Sequence, residues 1–382
     1  MKKKILSAVV AVVLVVVSFT AGFFIRNWTN PDLASLDFIS REYKKHYLDE
    51  KDDYLSTMAK SVLDPYSRYY TKKEYDELKQ SNKGIRAGLG VTFLVENAEV
   101  YSVCGNSPAE KAGITKGGII VGVKTGSDTN YTAVSNYNEL SKILDTVAAN
   151  VKFSLKIRYG EEDKEFTLAK EVYRETYVFY EDNSSSYRFN DENGKNMSMV
   201  KYGDGNSALD ESAAYLKFTA FNGLENGLKG SAGQFAEALK KFKEAKKKNL
   251  ILDLRGNGGG FMDILTSVAA HLIGAENGSK KVASKAVDKD GRVTNFISEK
   301  VDYADYGFEK IIVLGDDGTA SASEALIGAM LDYDTKGIVN VVLSGYKDKS
   351  GEIVYRTYGK GIMQTTYENP TTGEAIRLTT AK

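Results

Sequence analysis

The chain has 382 residues, 42% hydrophobic and 27% charged, a globular composition that excludes a disordered, collagen-like or multi-span membrane protein and leaves room for two or three compact units. Lys plus Arg and Asp plus Glu each total 51, so no net field gathers nucleic acid, which is not an expected partner. One cysteine, Cys104, excludes an intrachain disulfide and a cysteine-rich zinc site, and two histidines, His46 and His271, leave histidine-based chemistry few options.

Lys2, Lys3 and Lys4 precede an uncharged, Val/Leu/Phe-rich run over residues 5–25, closed by Arg26. Its length suits a single membrane span, and the lysine cluster orients that span with everything after Arg26 on the extracytoplasmic side. A cleaved signal peptide and a secreted body are the competing reading. Asn30 and Pro31 open a helical segment, residues 29–83, in which Leu33, Leu36, Ile39 and Tyr43 recur at helical spacing. From Gly84 short apolar runs punctuated by glycine predict a small β-rich unit over 84–172, with a boundary near Lys83. Residues 181–212, with Asn193-Gly194, read as a polar connection bearing a hairpin. The last unit, within 173–382, alternates strand-like runs (250–254, 311–314) with amphipathic helices, the pattern of an α/β layer. The fold class is therefore mixed α/β behind an N-terminal anchor and a helical segment.

Within 84–172, Gly88-Leu89-Gly90-Val91 opens a strand, residues 108–113 form a short helix, and Gly117-Gly118-Ile119-Ile120 follows. In that order the three motifs resemble a PDZ domain. Glycines leave main-chain N–H groups free to hold a terminal carboxylate, and the adjoining strand takes an extended peptide edge to edge, which makes Gly88, Leu89, Gly90 and Val91 the peptide-binding candidates. Taken alone, Gly88–Val91 would be only a tight turn. Gly118 stands where the family usually has aspartate.

Two segments carry chemistry. A buried-type strand at 250–254 runs through Arg255 into Gly256-Asn257-Gly258-Gly259-Gly260, after which Phe261, Ile264, Leu265, Val268 and Leu272 trace a helical face. Successive glycines before a helix leave several N–H groups in one concavity that favours negative charge. Neither dinucleotide nor P-loop spacing is present, since Phe261 occupies the position that needs glycine, and a developing oxyanion suits the loop better. The second segment, Gly318 to Glu324, follows the strand at 311–314, and Ala322, Ala325, Leu326, Ala329 and Met330 form a helical stripe behind it. Such a turn presents a hydroxyl beside the next N–H, as an acyl-transfer nucleophile requires. Ser321 and Glu324 also read as a capping box that would only stabilise the helix by about 1 kcal/mol.

The glycine segment, the Thr319-Ala320-Ser321-Ala322-Ser323-Glu324 segment and Tyr358-Gly359-Lys360-Gly361-Ile362-Met363-Gln364 together resemble the carboxyl-terminal processing, or tail-specific, proteases. The likeness runs from Leu63-Asp64-Pro65-Tyr66-Ser67 to Thr380-Ala381-Lys382. It implies that Ser321 is the nucleophile, Lys360 the general base, Gln364 the residue orienting the lysine, and Gly260 with Ala322 the oxyanion donors, Gly259 being the alternative glycine. A lysine serves as base only where desolvation lowers its pKa. His46, beside two lysines, reads as a solvated helix position, and His271 as a cation-favouring helix end before Gly274. Lys360 follows Ser321 by 39 residues, more than is usual in the family. Residues 345–355 look like an inserted hairpin that could displace the base, the family normally continues beyond Lys382, and Gly258 stands where many members have proline. The implied function is a membrane-anchored serine endopeptidase acting on extracytoplasmic proteins held by exposed C-termini, with no metal or nucleotide and with an oligomer left open. The alternative is an inactive tail-binding scaffold. Asp288-Lys289-Asp290-Gly291 fails as a calcium loop, because Ala286 replaces the first ligand.

Overall fold

The computed structural model describes residues 31–46, 54–126, 128–190, 197–273, 280–298, 306–348 and 350–382. The run expected to anchor the chain, 5–25, and the Asn193-Gly194 turn lie outside them. Among the described residues no helix is long and apolar enough to cross a membrane.

Residues up to Tyr69 form one unit and Tyr70–Lys382 another. The first contains helices α1 (Pro31–His46) and α2 (Tyr54–Val62), and α1 begins at the proline, whose fixed φ suits a first helical turn. The turn after α2 is held by Asp64. Its carboxylate accepts from Tyr66 N at 2.8 Å, Ser67 N at 3.0 Å and the Ser67 hydroxyl at 2.9 Å.

The second unit opens with α3 (Lys72–Asn82), capped reciprocally by Thr71 and Glu74. A small β-rich part follows: β1 (Ile85–Gly88), β2 (Val91–Phe93), β3 (Val100–Val103), α4 (Pro108–Lys111), β4 (Ile119–Thr125), β5 (Thr132–Ala133), α5 (Tyr137–Thr146), β6 (Lys152–Tyr159), β7 (Glu162–Ala169) and β8 (Glu171–Arg174). β1 pairs with β8, β2 with β3, and four strands form a sheet in the order β5-β4-β6-β7. Val100, Ile120, Leu140, Leu155 and Ile157 fill a core that belongs to this part alone. Gly90 is fixed by close approach: a Cβ there would lie 2.1 Å from the Ser107 Cβ, and Ser107 is needed as the cap of α4.

The larger part is built on a seven-stranded sheet. Its strands are β9 (Val178–Asp182), β10 (Ser185–Asn190), β11 (Ser198–Asp204), β12 (Ala213–Phe218), β13 (Asn249–Asp253), β16 (Lys310–Gly315) and β17 (Val339–Leu343), in the order β11-β10-β9-β12-β13-β16-β17. The last four run parallel, with Leu216 beside Leu252 and Leu252 beside Val313. Helices α6 (Ser231–Glu244), α7 (Met262–Leu272) and α8 (Ala322–Asp332) link them, and the hairpin β14 (Val282–Val287) and β15 (Val293–Ile297) is inserted after α7. Parallel strands flanked by helices bury both faces, which is why the runs at 250–254 and 311–314 are almost wholly apolar. Residues 181–212, read from sequence as a polar connection bearing a hairpin, contribute the antiparallel pair β10 and β11 to this sheet. Their polar composition conceals Tyr187, Phe189 and Met199, which pack on the main core. Beyond β17 come the short hairpin β18 (Tyr346–Lys347) and β19 (Ile353–Val354) and the longer one β20 (Met363–Glu368) and β21 (Ala375–Ala381).

Phe235 of α6 is fully buried, its ring 5.3 Å from Phe218 and 6.3 Å from His271. Phe235→Ala is expected to destabilise the fold by about 3–5 kcal/mol, read as a lowered urea midpoint. A loss under about 1 kcal/mol would show that the sheet beneath the candidate site does not depend on this cluster.

Candidate active site

The two glycine- and serine-bearing turns both leave the carboxyl ends of parallel strands, where an α/β sheet opens a crevice. β13 ends on Asp253, which is 2% exposed and accepts from Arg255 N and Nε at 2.9 Å, Arg255 Nη2 at 2.7 Å and the Tyr215 hydroxyl at 2.5 Å. Burial alone would raise the Asp253 pKa, but these bonds outweigh it and hold the carboxyl below its ordinary value. Asn257, fully buried, then organises the glycine loop. Its amide donates to Phe218 O at 2.8 Å, its side-chain oxygen accepts from Gly259 N at 2.9 Å, and its main-chain oxygen accepts from Ala320 N at 3.0 Å and the Ser323 hydroxyl at 2.9 Å. Asp316 adds a second stitch, accepting from Gly256 N at 2.8 Å and Gly318 N at 3.0 Å. The glycine loop is thus pressed against the serine turn. A Cβ on Gly259, whose φ is +90°, would lie 2.6 Å from Ala320 O and 2.8 Å from the Ser321 Cβ.

Ser321 sits between β16 and α8 with φ 59° and ψ −117°, a conformation that strains any residue with a side chain and persists only where its surroundings impose it. Ser321 and Glu324 do pair as a capping box, but unequally. The carboxylate accepts from Ser321 N at 2.7 Å, whereas the Ser321 hydroxyl makes no regular cap hydrogen bond. The same carboxylate accepts from the Thr357 hydroxyl at 2.7 Å, Gly359 N at 2.6 Å and Lys360 N at 3.1 Å. Burial would raise the Glu324 pKa. The bonds from Thr357, Gly359, Ser321 and Lys360 overcome it and hold the carboxyl below its usual value.

Lys360 lies on the loop before β20. Its amine donates to Gln364 Oε1 at 2.7 Å, and Gln364 Nε2 donates to the Thr379 hydroxyl on β21 at 3.3 Å. Tyr358 N donates to Thr319 O at 2.9 Å, tying this loop to the serine turn. Burial first, and then the Arg377 guanidinium, push the Lys360 pKa below the ordinary lysine value, opposed by the Glu324 carboxylate. Gly260, Ser321, Glu324, Lys360 and Gln364 line one cavity of about 580 Å³, whose apolar wall includes Met262, Ile362 and Met363.

The structure therefore gathers Ser321, Lys360, Gln364 and Gly260, with Ala322 next in chain to the serine. The hairpin at 345–355 is present, yet it does not keep Lys360 out of the cavity. Gly259 is a correction: its N–H is committed to Asn257, so it shapes the loop and is not available to an incoming oxygen. The N–H groups of Gly260 and Ala322 make no hydrogen bond among the described residues. Gly88, Leu89, Gly90 and Val91 lie in the small β-rich part and do not line this cavity. His271 is also a correction. It is not a cation at a helix end, because burial pushes its pKa down to about 4 and its Nδ1 lies 2.8 Å from the Tyr306 hydroxyl. The side chain of His46 is outside the described set. Sequence reasoning missed the bridging role of Glu324, seen only as a cap, and the roles of Asn257 and Thr379. An amide residue inside a glycine run was the one available signal, since such side chains hydrogen-bond their own turn.

Residues 212–382 match the model of peptidase family S41. These residues carry all three of the ordered motifs. The whole chain is similar to proteins described as CtpA-like serine proteases. That of Staphylococcus epidermidis ATCC 12228 is 26% identical over 90% of this chain and 59% of its own, and that of S. aureus RF122 is 26% identical over 94% and 63%. The chain thus spans about three-fifths of the length of these relatives. A crystal structure assigned as an S41 protease, from Bacteroides fragilis NCTC 9343, shares the fold at TM-score 0.50 and 16% identity, over 88% of this chain and 78% of that one. The family is the one to which the three ordered motifs pointed.

Glu324→Gln puts an amide among donors that need an acceptor, and is expected to cost about 1–3 kcal/mol at neutral pH. Because the folded carboxyl titrates below its unfolded value, its contribution is complete above the unfolded pKa and disappears as pH falls through the folded one. Thermal unfolding of wild type and variant should therefore converge in acid. A stability difference that stays constant down to that range would contradict the four-donor account.

Proposed function

We propose that this chain is a serine endopeptidase in which Ser321 and Lys360 form the catalytic dyad. One observation carries the reading: a half-buried lysine amine, held by Gln364 and lowered in pKa, opens into the same cavity as a serine in strained backbone geometry. Lys360 as neutral amine takes the Ser321 hydroxyl proton while Oγ bonds the peptide carbonyl carbon, and the carbonyl electron pair moves onto oxygen. The N–H groups of Gly260 and Ala322 receive that oxyanion, where one such donor is typically worth about 10²–10³ in kcat. The Lys360 ammonium then gives its proton to the departing amine. The acyl-serine ester that remains is hydrolysed by a water that the same amine deprotonates. No metal or nucleotide is needed in these steps.

The small part, 84–172, is read as a PDZ domain that holds C-terminal tails of protein substrates. In support, the N–H groups of Leu89 and Gly90 make no hydrogen bond among the described residues, and β2 pairs with β3 alone among the described strands. A terminal carboxylate would meet the first feature and an extended tail the second. Residues 29–83 precede this domain and 173–382 form the protease core, on the outer side of a membrane if 1–28 anchors the chain.

Ser321→Ala tests the reading. Peptide cleavage should fall at least about 10³-fold, a hydroxyl-reactive inhibitor that labels wild type at Ser321 should no longer label the variant, and the melting temperature should change little. A variant that cleaves normally and only melts lower would leave Ser321 as a cap. A wild-type chain that takes no label would favour the tail-binding scaffold.

A further inference from the structure

Behind the Lys360–Gln364 pair lies the last hairpin, and its register decides which residues share a face. Gln364 stands opposite Thr379 and Thr366 opposite Arg377, and alternate residues of a strand point to one side. Arg377 and Thr379 therefore share the hairpin face that carries Gln364, the partner of the amine. Thr379 reaches it through Gln364. Arg377 has no ion-pair partner among the described residues, and its Nε is buried without a hydrogen-bond acceptor. Its guanidinium instead lies 5.6 Å over the ring of Tyr70. An aromatic face attracts a cation without neutralising it, so the field of this charge persists at its neighbours. Among those is the Lys360 amine, which Arg377 disfavours in its charged form.

We propose that Arg377 and Thr379 are positioning residues of the hydrolytic site: on the hairpin face that carries Gln364, Arg377 sets an unpaired positive charge behind the Lys360–Gln364 pair, and Thr379 acts through Gln364 to aim the amine. This rests on the Ser321–Lys360 reading given above. A partly buried guanidinium whose Nε finds no acceptor is costly to keep, and packing of β21 against Tyr70 alone would be served as well by an apolar side chain. The charges facing the amine are few. Glu324 comes from α8 and favours the ammonium, Lys285 from β14 and Lys382 beyond β21 line the same cavity, and Arg377 is the one whose effect on Lys360 opposes Glu324. Arg377 offsets the carboxylate that the loop needs for its structure.

The test is the pH dependence of kcat/KM for a fluorogenic peptide, measured on the full chain as wild type, Ser321→Ala, Arg377→Gln, Arg377→Lys and Thr379→Val. The base must be deprotonated to act, so wild-type activity rises with pH through the pKa of Lys360. Arg377→Gln should move that rise upward by about 0.5–1 pH unit, lose roughly three- to tenfold in rate at neutral pH and regain it in alkali. Arg377→Lys, which keeps the charge, should follow wild type. Thr379→Val should lower kcat about tenfold at unchanged KM, as expected when the aim of a base is lost. The proposal is overturned if Arg377→Gln titrates like wild type, or if Arg377→Lys shifts as far as Arg377→Gln. Should Arg377→Gln not fold, Thr379→Val decides: wild-type kcat overturns the proposal, and a kcat loss at constant KM supports it. A Ser321→Ala chain as active as wild type would fell the dyad and this proposal together, whereas an inactive Ser321→Ala beside a normally titrating Arg377→Gln would fell this proposal alone.

Discussion

The site is assembled around one carboxylate. Glu324 sits in the first turn of α8 and accepts four donors, one from the backbone of Ser321 and three from Thr357, Gly359 and Lys360. The first donor belongs to the strained serine turn and the other three to the loop that delivers the lysine, so a single side chain fixes the mutual position of two segments far apart in sequence. Charge-assisted hydrogen bonds are about twice as strong as neutral ones, and here they outweigh the burial that would otherwise neutralise the group. What looks locally like a helix cap is the joint between the two halves of the cavity.

A second joint holds the glycine loop to the same turn. Asn257 and Asp316 are anchored on the strand ends of β13 and β16, and their bonds leave the serine turn no room to relax. That confinement explains how Ser321 stays at φ 59° although it has a Cβ. It also explains the glycine at 259, where a side chain would strike the backbone of the serine turn. Strain at one residue is thus balanced by hydrogen bonds spread over two loops.

Much of this was legible in the residues. The parallel layer announced itself because strands covered on both faces are apolar throughout, as at 250–254 and 311–314, and α7 and α8 followed from apolar stripes that do bury Ile264, Leu265, Val268, Leu326 and Met330. The hairpin within 181–212 was legible from its turn residues, but its place in the main sheet was not, since its core-facing residues are diluted by an exposed face. Ser321, Lys360 and Gln364 could be named from ordered motifs. What no motif contained was the set of contacts made between segments: the four donors on Glu324, the use of the Gly259 N–H by Asn257, and the reach of Gln364 to Thr379. His271 was misread because its sequence position shows a helix end, whereas its environment is set by Phe235 and Tyr306, which come from elsewhere in the chain.

The lysine arrives on the loop leading into the final hairpin, 39 residues after the serine, and its aim depends on Thr379 still later. On the roles proposed, a ribosome that has released the serine turn and all of the central sheet has made an enzyme without a base. Until the lysine loop follows, such a chain cannot cut its neighbours or itself. A hairpin made after the central sheet arms it.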